Sequence, residues 1–408
     1  MNAADYTLDL CDRIAAHTDV PGTITRTFLS PATAAVHTLL RAEMEALGMT
    51  VRTDSAGNVR GIYPAEAPDA PTLLTGSHID TVPDAGRYDG ILGVALPIAL
   101  VRALDGKRLP YAIEIIAFSE EEGVRFKLPF IGSRALIGGF GSADLTRTDA
   151  NGISIGEAIR NFGLNPGNIA DAALTPGTFA FFEAHIEQGP VLEARGLPLG
   201  IVTTIIGQSR LGLTFHGQAN HAGTTPMSYR KDALTAAAQW ITEVEEYPKG
   251  DPHLLATVGS IQASPGAANV IPGAVTVSLD VRHPSDSARL NAIAGLVSKA
   301  EACAQQRGLT LTTVDRGGQA SVPMDASLRE ALTAAAAPYA PHAMPSGAGH
   351  DAMILARKLP AAMLFLRTPG GLSHHPNESV SAADIEAATA TCLSFLAALT
   401  PATEFTSF

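Results

Sequence analysis

The stretch PTLLTGSHIDTVPDAGRYDGILGVALPIALVRALDGKRLPYAIEIIAFSEEE, residues 71–122, decides the fold class. Apolar runs predict strands at 71–78 and 112–122, and the apolar segment 91–104 is long enough for a helix. A strand, a helix and a second strand in succession favour parallel strands covered by helices. Polar residues stand at the strand ends, where open α/β proteins bind their ligands. The sequence therefore predicts an α/β fold with a candidate site at that edge of the sheet.

The rest of the chain extends this domain and then interrupts it. Further helices and strands of the first domain are predicted at 5–17, 32–47, 49–53, 58–63 and 178–189. After about residue 206 the pattern changes to strand, helix, two strands and helix, at 209–216, 230–246, 254–263, 274–283 and 285–307. We expect a mixed-sheet α/β catalytic domain of residues 1–207 and 323–408, with an inserted smaller α+β domain (β-α-β-β-α) at 208–322.

Two candidate ligands follow the first strand of the deciding stretch. His78 ends that strand, and Asp80 is two residues further on, so both side chains project from one face of an extended segment. A metal-bound imidazole usually donates its other N–H to a carboxylate, and we expect Asp80 to orient His78 in this way. Taken alone, this spacing favours a satisfied core histidine. Asp89, in RYDG before the helix, is by itself typical of a helix cap or turn residue.

Three consecutive acids are harder to explain without a cation. Glu120, Glu121 and Glu122 follow a mostly apolar strand, whereas a solvated run of charges would not normally follow buried residues. Adjacent carboxylates repel one another unless cations lie between them. The triple therefore indicates a cation site.

Histidines stand at the ends of two further elements. His185 follows a predicted strand, and His374 and His375 lie in GLSHHPNE before the last helix. Combined with His78, Asp89 and the acidic triple, they form an imidazole and carboxylate set that suits zinc, manganese, cobalt or nickel. One tetrahedral ion needs fewer ligands. The usual use of such a set is a carboxylate that bridges two ions roughly 3.5–4 Å apart.

The composition argues against several classes of partner. The formal net charge is −12 with a pI near 5.4, and no basic run is present, so nucleic acid is not an expected partner. Cys11, Cys303 and Cys392 lie far apart, which indicates a reducing compartment. The N-terminal segment carries acids where a signal peptide needs bases, and no apolar stretch is long enough to span a bilayer. We expect a cytoplasmic protein with no membrane partner.

Eight segments resemble the successive motifs of one enzyme family. They are GSHIDTV, RYDG, EEEGVRF, HIEQGPVLE, ANHAGTTPM, NVIPG, SGAGHDA and GLSHHPNE, in the right order between about residues 75 and 380. This pattern is similar to the N-carbamoyl-L-amino-acid hydrolase and allantoate amidohydrolase family, a relative of the dinuclear-metal aminoacylases and carboxypeptidases. The resemblance implies a hydrolase that cleaves a C–N bond in a small carboxylate-bearing ureido compound and holds two divalent ions per subunit.

The resemblance also implies how the ligands are divided. One ion is held by His78, Asp89 and His185, and the other by Asp89, Glu122 and His374, with Asp89 as the bridge. Glu121 is then the general base, because a carboxylate beside the ions that is not itself a ligand can move a proton from water to the leaving nitrogen. The family fixes only the histidine after serine, so His375 is expected to be an exposed loop residue.

Further residues match the family's substrate-binding positions, namely Gln188, His221, Asn269 and Arg282. Arg282 can hold a carboxylate by a bidentate pair, whereas His221 and Asn269 can donate to an oxyanion that forms at the attacked carbonyl. Without the resemblance, Arg282 would be assigned as a surface charge at a strand end. The resemblance also implies a homodimer in which His221 and Asn269 reach the partner's active site.

Two alternatives remain beside this interpretation. An aminoacylase or peptidase would use the same metal core on an N-acyl amino acid or a small peptide, although HIEQGP and SGAGHDA resemble the carbamoyl-hydrolysing branch. A relative that binds metal without catalysis would be expected to lose the base first, and Glu121 is present. The choice between allantoate and an N-carbamoyl-L-amino acid is left open by the sequence, as is the metal.

Overall fold

The computed structural model describes residues 1–401. The strands are β1 (Thr50–Thr53), β2 (Val59–Tyr63), β3 (Thr72–His78), β4 (Ala112–Phe118), β5 (Thr178–Ile186), β6 (Leu199–Ile205), β7 (Gly207–His216), β8 (Asn220–His221), β9 (Leu255–Thr257), β10 (Ile261–Ser264), β11 (Val270–Ile271), β12 (Ala274–His283), β13 (Thr310–Gln319), β14 (Val322–Pro323), β15 (His342–Ser346) and β16 (Ala361–Leu366). The α-helices are α1 (Ala3–Ala15), α2 (Pro31–Ala46), α3 (Ile91–Ala103), α4 (Ile131–Leu136), α5 (Ser142–Leu145), α6 (Ile155–Asn161), α7 (Val191–Arg195), α8 (Ala233–Glu246), α9 (Asp286–Gln306), α10 (Ala326–Ala336), α11 (Asp351–Leu355) and α12 (Ala382–Ala398).

The chain divides into two compact units. Unit 1 combines Met1–Thr203 with the segment from Met324 onward, and unit 2 is Thr204–Pro323. Unit 2 is therefore an insertion in the chain of unit 1. Within residues 1–401, no helix is both long and apolar enough to cross a membrane.

The sheet of unit 1 is mixed, as the sequence predicts. Its strand order is β1-β2-β4-β3-β5-β16-β6, and β15 also pairs with β6. The central pairs β4–β3, β3–β5 and β5–β16 are parallel, whereas β1–β2, β2–β4 and β16–β6 are antiparallel. The carboxyl ends of β3, β4, β5 and β16 therefore meet at one edge of the sheet.

The core of unit 1 holds these strands in place. Every residue of β3, β4 and β16 is buried, as expected of strands covered on both faces. The helix α3 is buried from Ile91 to Val101 and is apolar on all sides, so it lies inside the domain rather than at its surface. Helices α1 and α12 pack against it. The strand ends that carry polar residues are thus fixed by a closely packed interior.

One predicted strand is shorter in the structure. The strand expected at 112–122 ends at Phe118, so the three acids lie in the loop that follows. The cause is tertiary: the side chain of Asp80 accepts the main-chain N–H groups of Glu121 and Glu122, at 2.9 and 3.0 Å. These groups are then unavailable to a strand ladder.

Unit 2 contains an antiparallel five-stranded sheet with the order β10-β12-β7-β13, and β9 also pairs with β12. Helices α8 and α9 pack on it around the buried Trp240, and buried residues alternate along β12. The strand expected at 254–263 is two strands, β9 and β10, and β13 adds a strand that the sequence pattern did not predict. At its boundary, Val322 of β14 lies opposite Ile205 of β6, so the first and last residues of unit 2 are neighbours.

Candidate metal centre

The fold brings five ligand-type side chains to the same edge of the unit 1 sheet. His78 is the last residue of β3, and His185 is near the end of the parallel neighbour β5. Asp89 follows β3, Glu122 follows β4, and His374 follows β16. Because carboxyl ends of parallel strands meet at one edge, residues far apart in sequence converge there.

Asp89 lies at the centre of this group. Its Oδ1 atom is 3.7 Å from His78 Nε2 and 3.3 Å from His185 Nε2. Its Oδ2 atom is 3.1 Å from His374 Nε2, and that nitrogen is 3.3 Å from Glu122 Oε1. Among the described residues, four groups of ligand atoms lie within 4.8 Å of one another, and two of them lack Asp89: Glu183 with His185 and His350, and His78 with Glu121 and Glu122. The other two share Asp89: His78 with Asp89 and His185, and Asp89 with Glu122 and His374. The two carboxylate oxygens of Asp89 therefore face different sets.

A glycine allows the Asp89 loop to approach His78 closely. Gly90 has φ 70°, in the left-handed region that side chains rarely adopt. A Cβ atom at this position would lie 2.5 Å from the His78 ring. Glycine is thus needed at position 90 both because a side chain would collide with His78 and because the backbone is left-handed there.

The hydrogen bonds of the two buried imidazoles leave Nε2 directed at Asp89. His78 Nδ1 lies 3.0 Å from the main-chain carbonyl of Asp80, and His185 Nδ1 lies 2.9 Å from that of Ile186. A carbonyl only accepts, so Nδ1 carries the proton in both rings. This orientation is the usual one for histidine ligands that bind through Nε2. We expected the Asp80 carboxylate to accept the Nδ1–H of His78, but the Asp80 carbonyl is nearer to Nδ1, at 3.0 Å, than the carboxylate, at 3.5 Å.

The charges of the group are strongly coupled. Burial alone would lower the pKa of His78 and His185, but the nearby carboxylates, Asp80 and Asp89 for His78 and Asp89 for His185, outweigh burial and raise both. Hydrogen bonds to Asp89 and Glu122 raise the pKa of His374 to about 10. Burial acts to raise the pKa of Asp89, but its imidazole partners hold it well below the usual range.

This donor set fits divalent cations. Imidazole binds a metal ion through a ring nitrogen that carries no proton, so ion binding by this set is coupled to loss of protons. Burial, together with the neighbouring Glu122 and Asp351, raises the pKa of Glu121 well above its usual range, although the charge of His78 opposes this. Crowded carboxylates of this kind need compensating cations. Imidazole and carboxylate ligands with two sets that share one carboxylate suit a pair of first-row ions.

The two adjacent histidines are both exposed but have different partners. His374 has φ 56°, and this left-handed conformation directs its ring to Asp89 and Glu122. His375 is exposed, and its Nδ1 accepts the N–H of Asn377. The geometry therefore brings His374, and not His375, into the ligand-type set.

Gln188 contacts the centre directly. It has φ 58°, and its Nε2 donates to Asp89 Oδ2 at 2.9 Å and to Ser373 Oγ at 3.1 Å. Its predicted role was substrate binding, and the structure gives it in addition a hydrogen bond to the shared carboxylate.

Several polar residues of the centre had no predicted role. Glu378 and Ser373 lie in the GLSHHPNE segment and bond to the Asp89 loop. His350, in SGAGHDA, packs edge-on against His185 with ring centroids 4.5 Å apart, and bonds Ser346 at 2.9 Å. Burial lowers the pKa of His350 well below its usual range. Both motifs were visible in the sequence, but the packing of His350 on His185 and the hydrogen bonds of Glu378 and Ser373 depend on the tertiary structure.

The remaining predicted residues belong to unit 2. His221 of β8 pairs with Val270 of β11, and Ala222 donates its N–H to the carbonyl of Asn269 at 2.9 Å, so His221 and Asn269 lie in one small hairpin-like sheet. Arg282 is on β12, where its Nε donates to Asp280 at 2.9 Å. These contacts are all internal to unit 2.

Comparison with known proteins gives consistent matches over nearly the whole chain. The sequence pattern of peptidase family M20/M25/M40 matches residues 74–398. An N-carbamoyl-L-amino acid amidohydrolase of Geobacillus stearothermophilus is 39% identical over 362 residues, which cover 88% of each chain. An allantoate amidohydrolase of Bacillus subtilis is 38% identical over 357 residues, which cover 85% of each chain.

Solved structures agree with this result. A hydantoinase/carbamoylase family amidase from Burkholderia ambifaria has a TM-score of 0.90 and 33% sequence identity, and the match covers 96% of both chains. The family resemblance drawn from the sequence motifs is therefore confirmed.

Proposed function

Because the chain belongs to peptidase family M20/M25/M40, we propose that it is a metal-dependent amidohydrolase that cleaves a C–N bond in a small carboxylate-bearing ureido compound. The proposed substrate is allantoate or an N-carbamoyl-L-amino acid, the compounds named for relatives that are 38% and 39% identical. The observation that carries the proposal is the convergence of four ligand-type side chains on a fifth, Asp89, beside the further carboxylate of Glu121.

We propose two divalent ions, each zinc, manganese, cobalt or nickel. One would be held by His78, Asp89 and His185, and the other by Asp89, Glu122 and His374. Ions of this kind supply Lewis acidity that lowers the pKa of water and polarises a carbonyl group.

Glu121 is the proposed general base. Glu121 lies in the loop after β4, where the Asp80 carboxylate accepts the main-chain N–H groups of Glu121 and Glu122. Its carboxylate lies within 4.8 Å of ligand atoms of His78 and Glu122. Glu121 accepts a proton from the attacking water and returns it to the leaving nitrogen as the C–N bond breaks. Cleavage of a ureido group leaves a carbamic acid, which decomposes to ammonia and carbon dioxide.

Recognition of the substrate is assigned to the residues that resemble the family's binding positions. Arg282 would hold the substrate carboxylate, while His221 and Asn269 donate to the oxygen of the attacked carbonyl and Gln188 contacts the substrate from the Asp89 side. Unit 1 is accordingly the catalytic domain. Unit 2 has the role of a lid and dimerisation domain, with His221 and Asn269 acting in the active site of the partner subunit of a homodimer.

A substrate panel tests the proposal. Protein stripped by a chelator and reloaded separately with zinc, manganese, cobalt or nickel is incubated with allantoate, several N-carbamoyl-L-amino acids and the matching N-acetyl-L-amino acids. We expect no turnover without metal and ammonia release from at least one ureido substrate after reloading. Hydrolysis of only the N-acetyl compounds, which yields acetate and no ammonia, would support the aminoacylase alternative instead.

A further inference from the structure

Glu378 connects the two loops that carry Asp89 and His374. It is a buried residue of the turn after His374, with an exposed fraction of 3%. Its Oε1 atom accepts two main-chain N–H groups of the other loop, from Tyr88 at 2.8 Å and from Asp89 at 3.0 Å. Asp89 and Glu378 are 289 positions apart in the sequence, on either side of the inserted unit 2, so this single carboxylate joins distant parts of the chain.

Both the main chain and the side chain of Glu378 make contacts within its own turn. The N–H of Glu378 donates to the carbonyl of His375 at 3.0 Å, which closes the turn. The hydroxyl of Ser373 lies 3.0 Å from Asp89 Oδ2 and 3.4 Å from Glu378 Oε2. The strained residue His374, with φ 56°, is therefore held between two residues that both contact the Asp89 loop.

Packing leaves this carboxylate little freedom. A Cβ atom on Gly86 would lie 2.3 to 2.4 Å from three atoms of the Glu378 side chain. The loop thus needs glycine at this position in order to close over Glu378. The Glu378 side chain is buried, bound by two N–H donors and packed against Gly86. It therefore fixes the position of the Asp89 loop relative to the turn that carries His374.

We propose that Glu378 is a positioning residue that sets the distance between Asp89 and His374 and thereby the affinity of the site formed by Asp89, Glu122 and His374. This inference rests on the proposed function, because it concerns ions that the centre would hold. Glu378 itself contacts neither substrate nor ion in this role. It acts through the main chain of Asp89 and the turn of His374.

Metal titration of the full chain tests the inference. Wild type, Glu378→Gln and Glu378→Ala are stripped by a chelator, and the binding of Mn²⁺ is measured by calorimetry. Glu378→Ala is expected to lower the affinity for one of the two Mn²⁺ ions by roughly 10–100-fold, the usual scale for loss of a group that orients ligands. Glu378→Gln retains an oxygen that can accept both N–H groups, so its loss of Mn²⁺ affinity is expected to be clearly smaller than that of Glu378→Ala.

Glu187→Ala is the matched control. Glu187 is also a buried glutamate of unit 1 whose carboxylate accepts two main-chain N–H groups, from Val191 and Leu192. Its truncation should lower the thermal midpoint as Glu378→Ala does and leave Mn²⁺ affinity unchanged. Wild-type affinity in Glu378→Ala, an equal loss in Glu378→Gln, or an equal loss in the control would each overturn the inference.

A second measurement separates this inference from the proposed function. Wild type that binds no Mn²⁺ would contradict the two-ion proposal. The crystal structure of Glu378→Ala then decides the positioning role: the separation of His374 Nε2 and Asp89 Oδ2, 3.1 Å in the wild type, is expected to grow beyond hydrogen-bonding distance. An unchanged separation would overturn the inference.

Discussion

Asp89 shows how one side chain can serve two sites. Its oxygens face different imidazoles, with Oδ1 toward His185 and Oδ2 toward His374. Each contact favours the charged form of this buried carboxylate, and together they outweigh its burial. Neighbouring glutamates are not equivalent in this setting, because Glu122 reaches His374 while Glu121 stays near His78.

This difference predicts opposite results for the two glutamates. Glu121→Gln should keep its metal content and lower kcat by roughly 10² or more, because an amide cannot accept the proton of the attacking water. Glu122→Gln should lose metal, since an amide oxygen is a poorer ligand than a carboxylate. Elemental analysis beside kcat measurements checks both variants. If Glu121→Gln is the one that loses metal, the two roles are exchanged.

Arg282 is the residue predicted to read the acid of the substrate. Lys cannot reproduce the planar pair that Arg makes with a carboxylate, so Arg282→Lys and Arg282→Ala should both raise KM for ureido acids. Truncation should cost roughly 2–4 kcal/mol, the scale for breaking a desolvated charge pair. The measurement is kcat and KM for each acid and for its carboxamide.

The control for Arg282 is Arg307→Lys. Arg307 bonds Gln239 and Thr235 of α8 in the same unit, and its substitution should leave KM unchanged. Wild-type turnover of the carboxamide should already be low. Equal turnover of acid and carboxamide by the wild type would contradict the role given to Arg282.

At the scale of elements, the local sequence pattern predicts the buried strands well but predicts poorly where those strands end in polar residues. The deciding unit β3-α3-β4 is confirmed because its apolar runs are long and fully buried. The end of β4 was wrong by a few residues because Asp80, distant in sequence, captures the N–H groups that would have continued the strand. No local pattern contains that contact.

The strand β13 illustrates a second limit. Most of its residues are exposed, and its pairing with β7 shifts register between Asp315 and Gly318. An exposed strand with a bulge lacks the apolar alternation on which sequence-based prediction depends. In the same way, the sequence indicates the ligand-type residues by their chemistry. The hydrogen bonds of Gln188 and Glu378 to the Asp89 loop join residues distant in sequence, so no local pattern predicts them.

Helix α2 carries a buried histidine that should make unit 1 sensitive to acid. Burial, and then the charge of Arg41, lower the pKa of His37 to about 4, and its ring packs edge-on against Phe162. Because the folded pKa is below the unfolded one, the stabilisation is complete above about pH 6.5 and is lost as the pH falls toward 4.

The corresponding variant is His37→Phe. Between about pH 7.5 and about pH 5 the wild type should lose about 2 kcal/mol of unfolding free energy more than this variant, since phenylalanine does not titrate. Urea unfolding at the two values of pH measures the difference. An identical loss in both proteins would mean that His37 is solvated or paired when it becomes charged.

At the scale of the whole molecule, the proposed dimer predicts complementation. Mixed subunits of Glu121→Gln and His221→Ala should form heterodimers in which one active site has both an intact Glu121 and an intact His221 from the partner. Activity should then rise above that of either parent after the two are refolded together. The two variants carry different affinity tags, and copurification over both tags verifies that heterodimers have formed. No recovery in such heterodimers would place His221 in the active site of its own chain.

The insertion of unit 2 has a consequence for how the protein is made. Translation completes Thr204–Pro323 while β16 and His374 are still to be synthesised, and β16 occupies the position between β5 and β6. Because domains fold as units on the ribosome, the inserted unit can fold first, with its ends already adjacent through Val322 and Ile205. The nascent chain meanwhile presents unpaired edges of β5 and β6, which are open to wrong pairing until β16 emerges.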